Sequence, residues 1–200
     1  MNIPSILLES STGYQAVSLE SQLLRNREVF LTEEVSSETV AALIKQMLLL
    51  EQESHEPIYF YISSLGGDVT AGLALYDVIT MMESEVYTVA MGMVASMGTI
   101  LYLAGTRRYI LPSSQLMIHD PSYGNGNFSY CKPAELQQKV DKLKETGGKL
   151  SKIIAEKTGR PLKEVQRLCK TDSYFNSEES LKFGLATEIL AKLPEGSITV

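Results

Sequence analysis

Ile58-Tyr59-Phe60-Tyr61-Ile62-Ser63-Ser64-Leu65-Gly66-Gly67-Asp68-Val69 reads as three elements in a row. The aromatic and β-branched run 58–62 has the composition of a buried strand, with Pro57 able to stand at its mouth. Ser63 to Gly67 is a turn, because adjacent glycines admit dihedrals closed to other residues. Asp68 stands at a helix N-cap position, and Val69, Leu73, Tyr76 and Ile79 keep a helical stripe after it. The order recurs loosely downstream, as a strand from Val86 to Met91 and a helix starting near Met97. Strands alternating with helices place the chain in the α/β class.

Outward from this core the pattern continues. Val40, Leu43, Ile44 and Met47 predict a helix over 35–51. Arg108 to Leu111 and Gln115 to His119 are short strands split by a Pro112-Ser113-Ser114 turn. Residues 122–129 are rich in Gly, Asn and Ser and read as a loop. The longest helical stripe covers 134–157, where Gly147 and Gly148 each cost roughly 1 kcal/mol against alanine and predict a weakened or bent middle. Gly159-Arg160-Pro161 ends it and starts a short helix with Pro161 in the first turn. Asn176 with Glu179 forms a capping-box pattern, and Gly184 is a helix stop. Residues 1–30 show no clear periodicity.

The chain has 200 residues, 44% hydrophobic and 21% charged, with a formal net charge of −6. That is one domain's worth of globular chain, long enough to bury a sizeable core. The acidic balance leaves no electrostatic footprint for nucleic acid or anionic membrane. Cys131 and Cys169 make neither a disulfide framework nor a metal cluster, and their scarcity fits a reducing compartment. The first residues lack the basic and apolar regions of a secretory signal. The uncharged run Val86 to Gly105 has the length of a bilayer span, but its β-rich first half and three glycines fit a buried strand turning into a buried helix better.

Only two histidines are present, His55 and His119. His55 sits among Glu51, Glu53 and Glu56 and reads as a solvated loop residue. His119 ends the apolar strand Leu116-Met117-Ile118, where a half-buried structural histidine and a general base are both open readings. No second histidine stands at metal spacing. Ser96, in Gly92-Met93-Val94-Ala95-Ser96-Met97-Gly98, lies where a strand hands over to a helix. The helix's first N–H groups are free there and favour negative charge, so a nucleophile's oxyanion would find donors in its own turn. The bland reading is that Ser96 caps the helix. The Gly66-Gly67 turn could offer a similar donor or be only a tight connection. It lacks the lysine of a phosphate loop. A serine–histidine pair needs a carboxylate to hold the imidazole. Asp77, Asp120, Asp141 and Asp172 are the candidates, and residue order does not choose among them.

Three motifs together carry a specific resemblance: Gly-Gly-x-Val-Thr-Ala-Gly at 66–72, Ala-Ser-Met-Gly at 95–98 and Met-Ile-His-x-Pro at 117–121. The chain resembles the ClpP family, the proteolytic subunit of ATP-dependent Clp protease, over about 3–189. The resemblance implies a serine peptidase of crotonase-like α/β fold, a superhelix of β-β-α units with a protruding handle helix at about 133–158. It divides the chain into an N-terminal axial segment, 1–20, and a peptidase domain, 21–200. It implies Ser96 as nucleophile, His119 as base and Asp172 as third member, with the backbone N–H groups of Gly67 and Met97 as the oxyanion hole. Main-chain groups at Val69 and Ser122 would pair with an extended substrate.

The implied partners are further copies of the chain, as heptameric rings stacked into a tetradecamer, with a paralogous subunit as a further candidate. A hexameric AAA+ unfoldase would feed in unfolded polypeptides. No cofactor or metal is implied for this chain, ATP being used by the unfoldase. The expected setting is cytoplasmic protein quality control, without nucleic acid or membrane. The chain departs from the family's usual residues at Leu65, Asp68, Asp120, Thr12-Gly13-Tyr14-Gln15 and Lys170-Thr171, and its loop after Pro121 is longer, carrying Tyr123, Phe128 and Tyr130. A divergent paralogue with an intact triad accounts for both sets of facts. The alternative is a weakly active or structural subunit that needs a partner ring. Acyl-CoA chemistry on the same fold is a third reading, which the Ser-His-Asp set argues against.

Overall fold

Alternation along the central strands sorts side chains into two environments. In β4 (Ile58–Ser64) Ile58, Phe60 and Ile62 face the main core, while Tyr59 and Tyr61 face the other way. In β5 (Val86–Ala95) Val86 and Ala90 join the core, and Tyr87, Val89 and Met91 join the tyrosine face. Both environments are extensively buried, so these strands read as near-continuous apolar runs, as parallel strands covered on both faces do. A computed structural model describes residues 5–10, 13–123 and 131–193.

Five strands run parallel in the order β3 (Glu28–Leu31), β4, β5, β6 (Arg107–Ile110) and β9 (Glu188–Ile189). The sheet forks at β5. Its first half, Tyr87 to Ala90, pairs with β6, and its last residues, Met93 to Ala95, pair with β7 (Gln115–Ile118). Between the halves the register against β4 shifts, from Ile62–Ala90 to Ser64–Val94, and the stretch includes Gly92, whose φ is 62°. β8 (Ser173–Asn176) then pairs antiparallel with β7.

The helices α2 (Ser37–Glu53), α3 (Val69–Met81) and α4 (Met97–Tyr102) supply Met47, Leu50, Leu75, Leu101 and Tyr102 to the main core, all at most 1% exposed. Each of the four Leu and Met burials contributes on the order of 2 kcal/mol.

The helix α5 (Pro133–Thr158) runs continuously through Gly147 and Gly148. Gly147 has a packing reason: Pro121 Cδ lies 3.3 Å from where its Cβ would stand. Pro161 is the N-cap of α6 (Leu162–Cys169), one residue earlier than expected. The capping box at Asn176 and the stop at Gly184 bound α7 (Ser177–Phe183) as the sequence predicts. The aperiodic first thirty residues hold a hairpin, β1 (Ser5–Ser10) with β2 (Gly13–Ser18), then α1 (Leu19–Arg25) and β3. The expected loop 122–129 lies outside the described residues from Gly124 onward. The uncharged run 86–105 divides into β5 and α4, and among the described residues no helix is long and apolar enough to cross a membrane.

Candidate active site

The fork in the sheet builds the site. β5 and β7 are parallel and paired at Ala95 and Met117, so both chains leave the sheet at the same edge. Ser96 follows one and His119 follows the other. At that edge Ser96 Oγ lies 2.8 Å from His119 Nε2. The antiparallel register of β7 and β8 then selects the carboxylate: Ile118 pairs with Ser173 at the end of the ladder, and His119 and Asp172 are the residues just beyond that pair. His119 Nδ1 lies 3.1 Å from Asp172 Oδ1. A tautomer with the proton on Nδ1 satisfies both contacts, donating to the ionised carboxylate and accepting the Ser96 hydroxyl. Asp77 and Asp141 lie within α3 and α5, and Asp120 points its N–H to Cys169 O at 2.6 Å.

Ser96 does not cap α4. It occupies the N-cap position but makes no side-chain cap bond, and its backbone is strained at φ 54°, ψ −123°. A non-glycine residue rarely adopts a positive φ. The conformation presents the hydroxyl to the imidazole rather than to the helix N–H groups. The bland reading of Ser96 is therefore corrected by geometry.

The Gly66-Gly67 turn lies against this one. A Cβ on Gly66 would stand 2.7 Å from Ser96 Cβ and 2.9 Å from both Ala95 O and Met97 N, and the residue has φ 98°. Gly67, at φ 146°, has Val35 O and Glu34 Cγ where its side chain would be. Only glycine fits either position. The turn is braced from the segment before α2, with Val35 N–H donating to Gly66 O (2.8 Å) and Asp68 N–H to Val35 O (2.7 Å). Ser64 Oγ donates to Glu33 O at 2.6 Å and accepts from Gly66 N–H at 3.2 Å. Among the described residues no acceptor bonds the N–H of Gly67, and the N–H of Met97 is one of the unpaired donors of the first helical turn. Nothing in the sequence pointed to Glu33 or Val35 as supports. Ser64 was visible only as part of a turn.

A narrow slot beside Ser96 is lined by Val69, Met97, Ile100, Ile118, Leu150 and Ile154, together with His119 and Pro121. Val69 opens α3 at this slot, and Ser122 continues the exposed segment beyond Pro121. Asp68 is spent on capping α3, its Oδ1 accepting from Ala71 N–H at 2.9 Å. His55 stands on the surface between Glu51 (3.7 Å) and Glu83 (3.5 Å), as a solvated residue would. Burial, with Asp120 nearby, pushes the Cys169 thiol up to about 11, so it stays protonated and is no rival nucleophile. Among the described residues no group of three His, Cys, Asp or Glu side chains is placed to hold a metal ion.

The family model of Clp protease matches the chain over residues 11–193.

Proposed function

The chain belongs to the Clp protease family, and from that premise we propose that it is a serine endopeptidase working through Ser96, His119 and Asp172. The observation that carries this is the unbroken contact path from hydroxyl to imidazole to carboxylate, 2.8 Å and then 3.1 Å, drawn from three separate chain segments. Ser96 Oγ attacks the scissile carbonyl carbon and passes its proton to His119 Nε2. Asp172 holds the Nδ1 proton and balances the imidazolium. The carbonyl oxygen, now an oxyanion, accepts from the N–H groups of Gly67 and Met97. On collapse the C–N bond breaks and His119 returns the proton to the leaving amine. Water, deprotonated by His119, then hydrolyses the acyl-Ser96 ester. Substrate would lie extended between main-chain groups at Val69 and Ser122, with an apolar side chain before the cut seated in the slot.

In this reading the α/β unit is a crotonase-like superhelix and α5 is its handle. Heptameric rings stack through the handles into a closed chamber, and a hexameric AAA+ unfoldase feeds it unfolded polypeptide, in cytoplasmic quality control. Turnover of a short fluorogenic peptide with an apolar residue before the cut tests the chemistry. Ser96→Ala should lower kcat by about 10⁴-fold or more. Undiminished cleavage by that variant removes the proposal. Reaction of isolated protein with a serine-directed fluorophosphonate separates the alternative: labelling only after a paralogous ring is added would make this chain a conditionally active subunit. Sedimentation of the same sample reads the assembly, for which a monomer would refute the chamber.

A further inference from the structure

The backbone of Ser96 is held in a conformation that a serine does not choose, and such strain persists only where the surroundings over-determine it. The bonds that do so join the main chain at Ser96 to Thr99 and to Met117 O. Thr99, wholly buried, places Oγ1 3.0 Å from Val94 O and 2.8 Å from Met117 O. Val94 lies two residues before Ser96, and Met117 two residues before His119. Met117 O also accepts the Ser96 N–H at 3.0 Å, and Thr99 N–H donates to Ser96 O at 3.0 Å. One hydroxyl proton, shared between two carbonyls, thus ties the nucleophile's turn to the strand carrying the base. With no solvent at Thr99, water cannot take its place.

We propose that Thr99 is a positioning residue that sets the separation of Ser96 and His119. Its consequence for turnover rests on Ser96 being the nucleophile of the proposed peptidase. Valine has threonine's shape without the hydroxyl, so Thr99→Val lets the two chain ends drift. Misplacement of reacting groups by about 1 Å costs on the order of 10²-fold. The expected result in peptide turnover is a 10- to 100-fold fall in kcat at little changed KM. Thr99→Ser, which keeps the hydroxyl, should recover most of that rate. Thr99→Ala serves in place of valine if the valine variant does not fold.

A second readout needs no turnover. With two histidines in the chain, the imidazole nitrogens of His119 are assigned by NMR against a His55→Gln variant. In Thr99→Val the Nε2 resonance should move toward its position in Ser96→Ala, and in Thr99→Ser it should stay. If the resonance behaves so while the unaltered protein cleaves nothing, the positioning role stands and the peptidase reading falls. A folded Thr99→Val or Thr99→Ala protein with unaltered kcat and an unmoved Nε2 resonance would overturn the proposal. So would a loss confined to KM, or one that serine does not restore.

Discussion

The two strand–turn–helix units, β4 into α3 and β5 into α4, solve the same local problem in opposite ways. In the first, Gly66 and Gly67 take the positive φ values, and what the turn presents is a bare N–H. In the second, a serine takes φ 54°, and what the turn presents is a side chain. Where backbone is what the site needs, glycine removes the strain. Where a hydroxyl is needed, strain stays and must be held by neighbours. The helix starts differ accordingly: Asp68 caps α3 with its carboxylate, while Ser96 leaves α4 uncapped and turns to His119.

The sharpest way to break this contrast is Ser96→Gly. Hydrolysis should fall by about 10⁴-fold or more. Thermal stability should change little: relief of roughly 1–3 kcal/mol of backbone strain offsets the 0.5–1 kcal/mol entropy of an added glycine and one lost hydrogen bond. A melting temperature lowered by many degrees would show that the serine turn is not strained.

Gly67→Ala tests the other turn. Its Cβ meets Val35 O and Glu34 Cγ, so the turn must move. Loss of one oxyanion donor should lower kcat by about 10²–10³-fold. A peptide boronate, which forms a tetrahedral adduct on the serine, should weaken in parallel. A boronate affinity unchanged beside a reduced kcat would remove Gly67 from the oxyanion hole.

Ser64→Ala probes the brace behind that turn. Glu33 O and Gly66 N–H lose their shared partner, with a stability loss of about 1–3 kcal/mol. Denaturant unfolding checks this, and peptide turnover should show a smaller kcat loss than Gly67→Ala.

The smallest effect belongs to Asp68→Ala, which removes only the α3 cap. About 1 kcal/mol should go, a shift of some 2–4 °C in melting temperature for a chain of this size, with turnover unchanged. A large rate loss here would give Asp68 a role in the site beyond capping.

Much of this was written locally. The strand at Ile58–Ile62, the Asp68 cap, the Asn176–Glu179 capping box and the Gly184 stop follow from residue periods and backbone preferences that act within a few positions. Ser96 at a strand-to-helix junction and His119 as the one strand-end histidine were equally plain. The aperiodic first thirty residues were not: their hairpin and β3 are defined by pairing across strands, and β3 is named only by its contact with β4.

Residue types and their short-range spacing determined an α/β chain with a serine at a strand-to-helix junction, a histidine at a strand end and a glycine turn ahead of a capped helix. Which aspartate serves the histidine, which of Ser96's two uses prevails, and what keeps its turn in place were decided only by tertiary structure. Asp172 meets His119 through the β7–β8 register, and Ser96 meets it through the fork at β5. Strand registers join residues far apart in the chain, and no preference of a single residue for its own neighbours encodes such a distance.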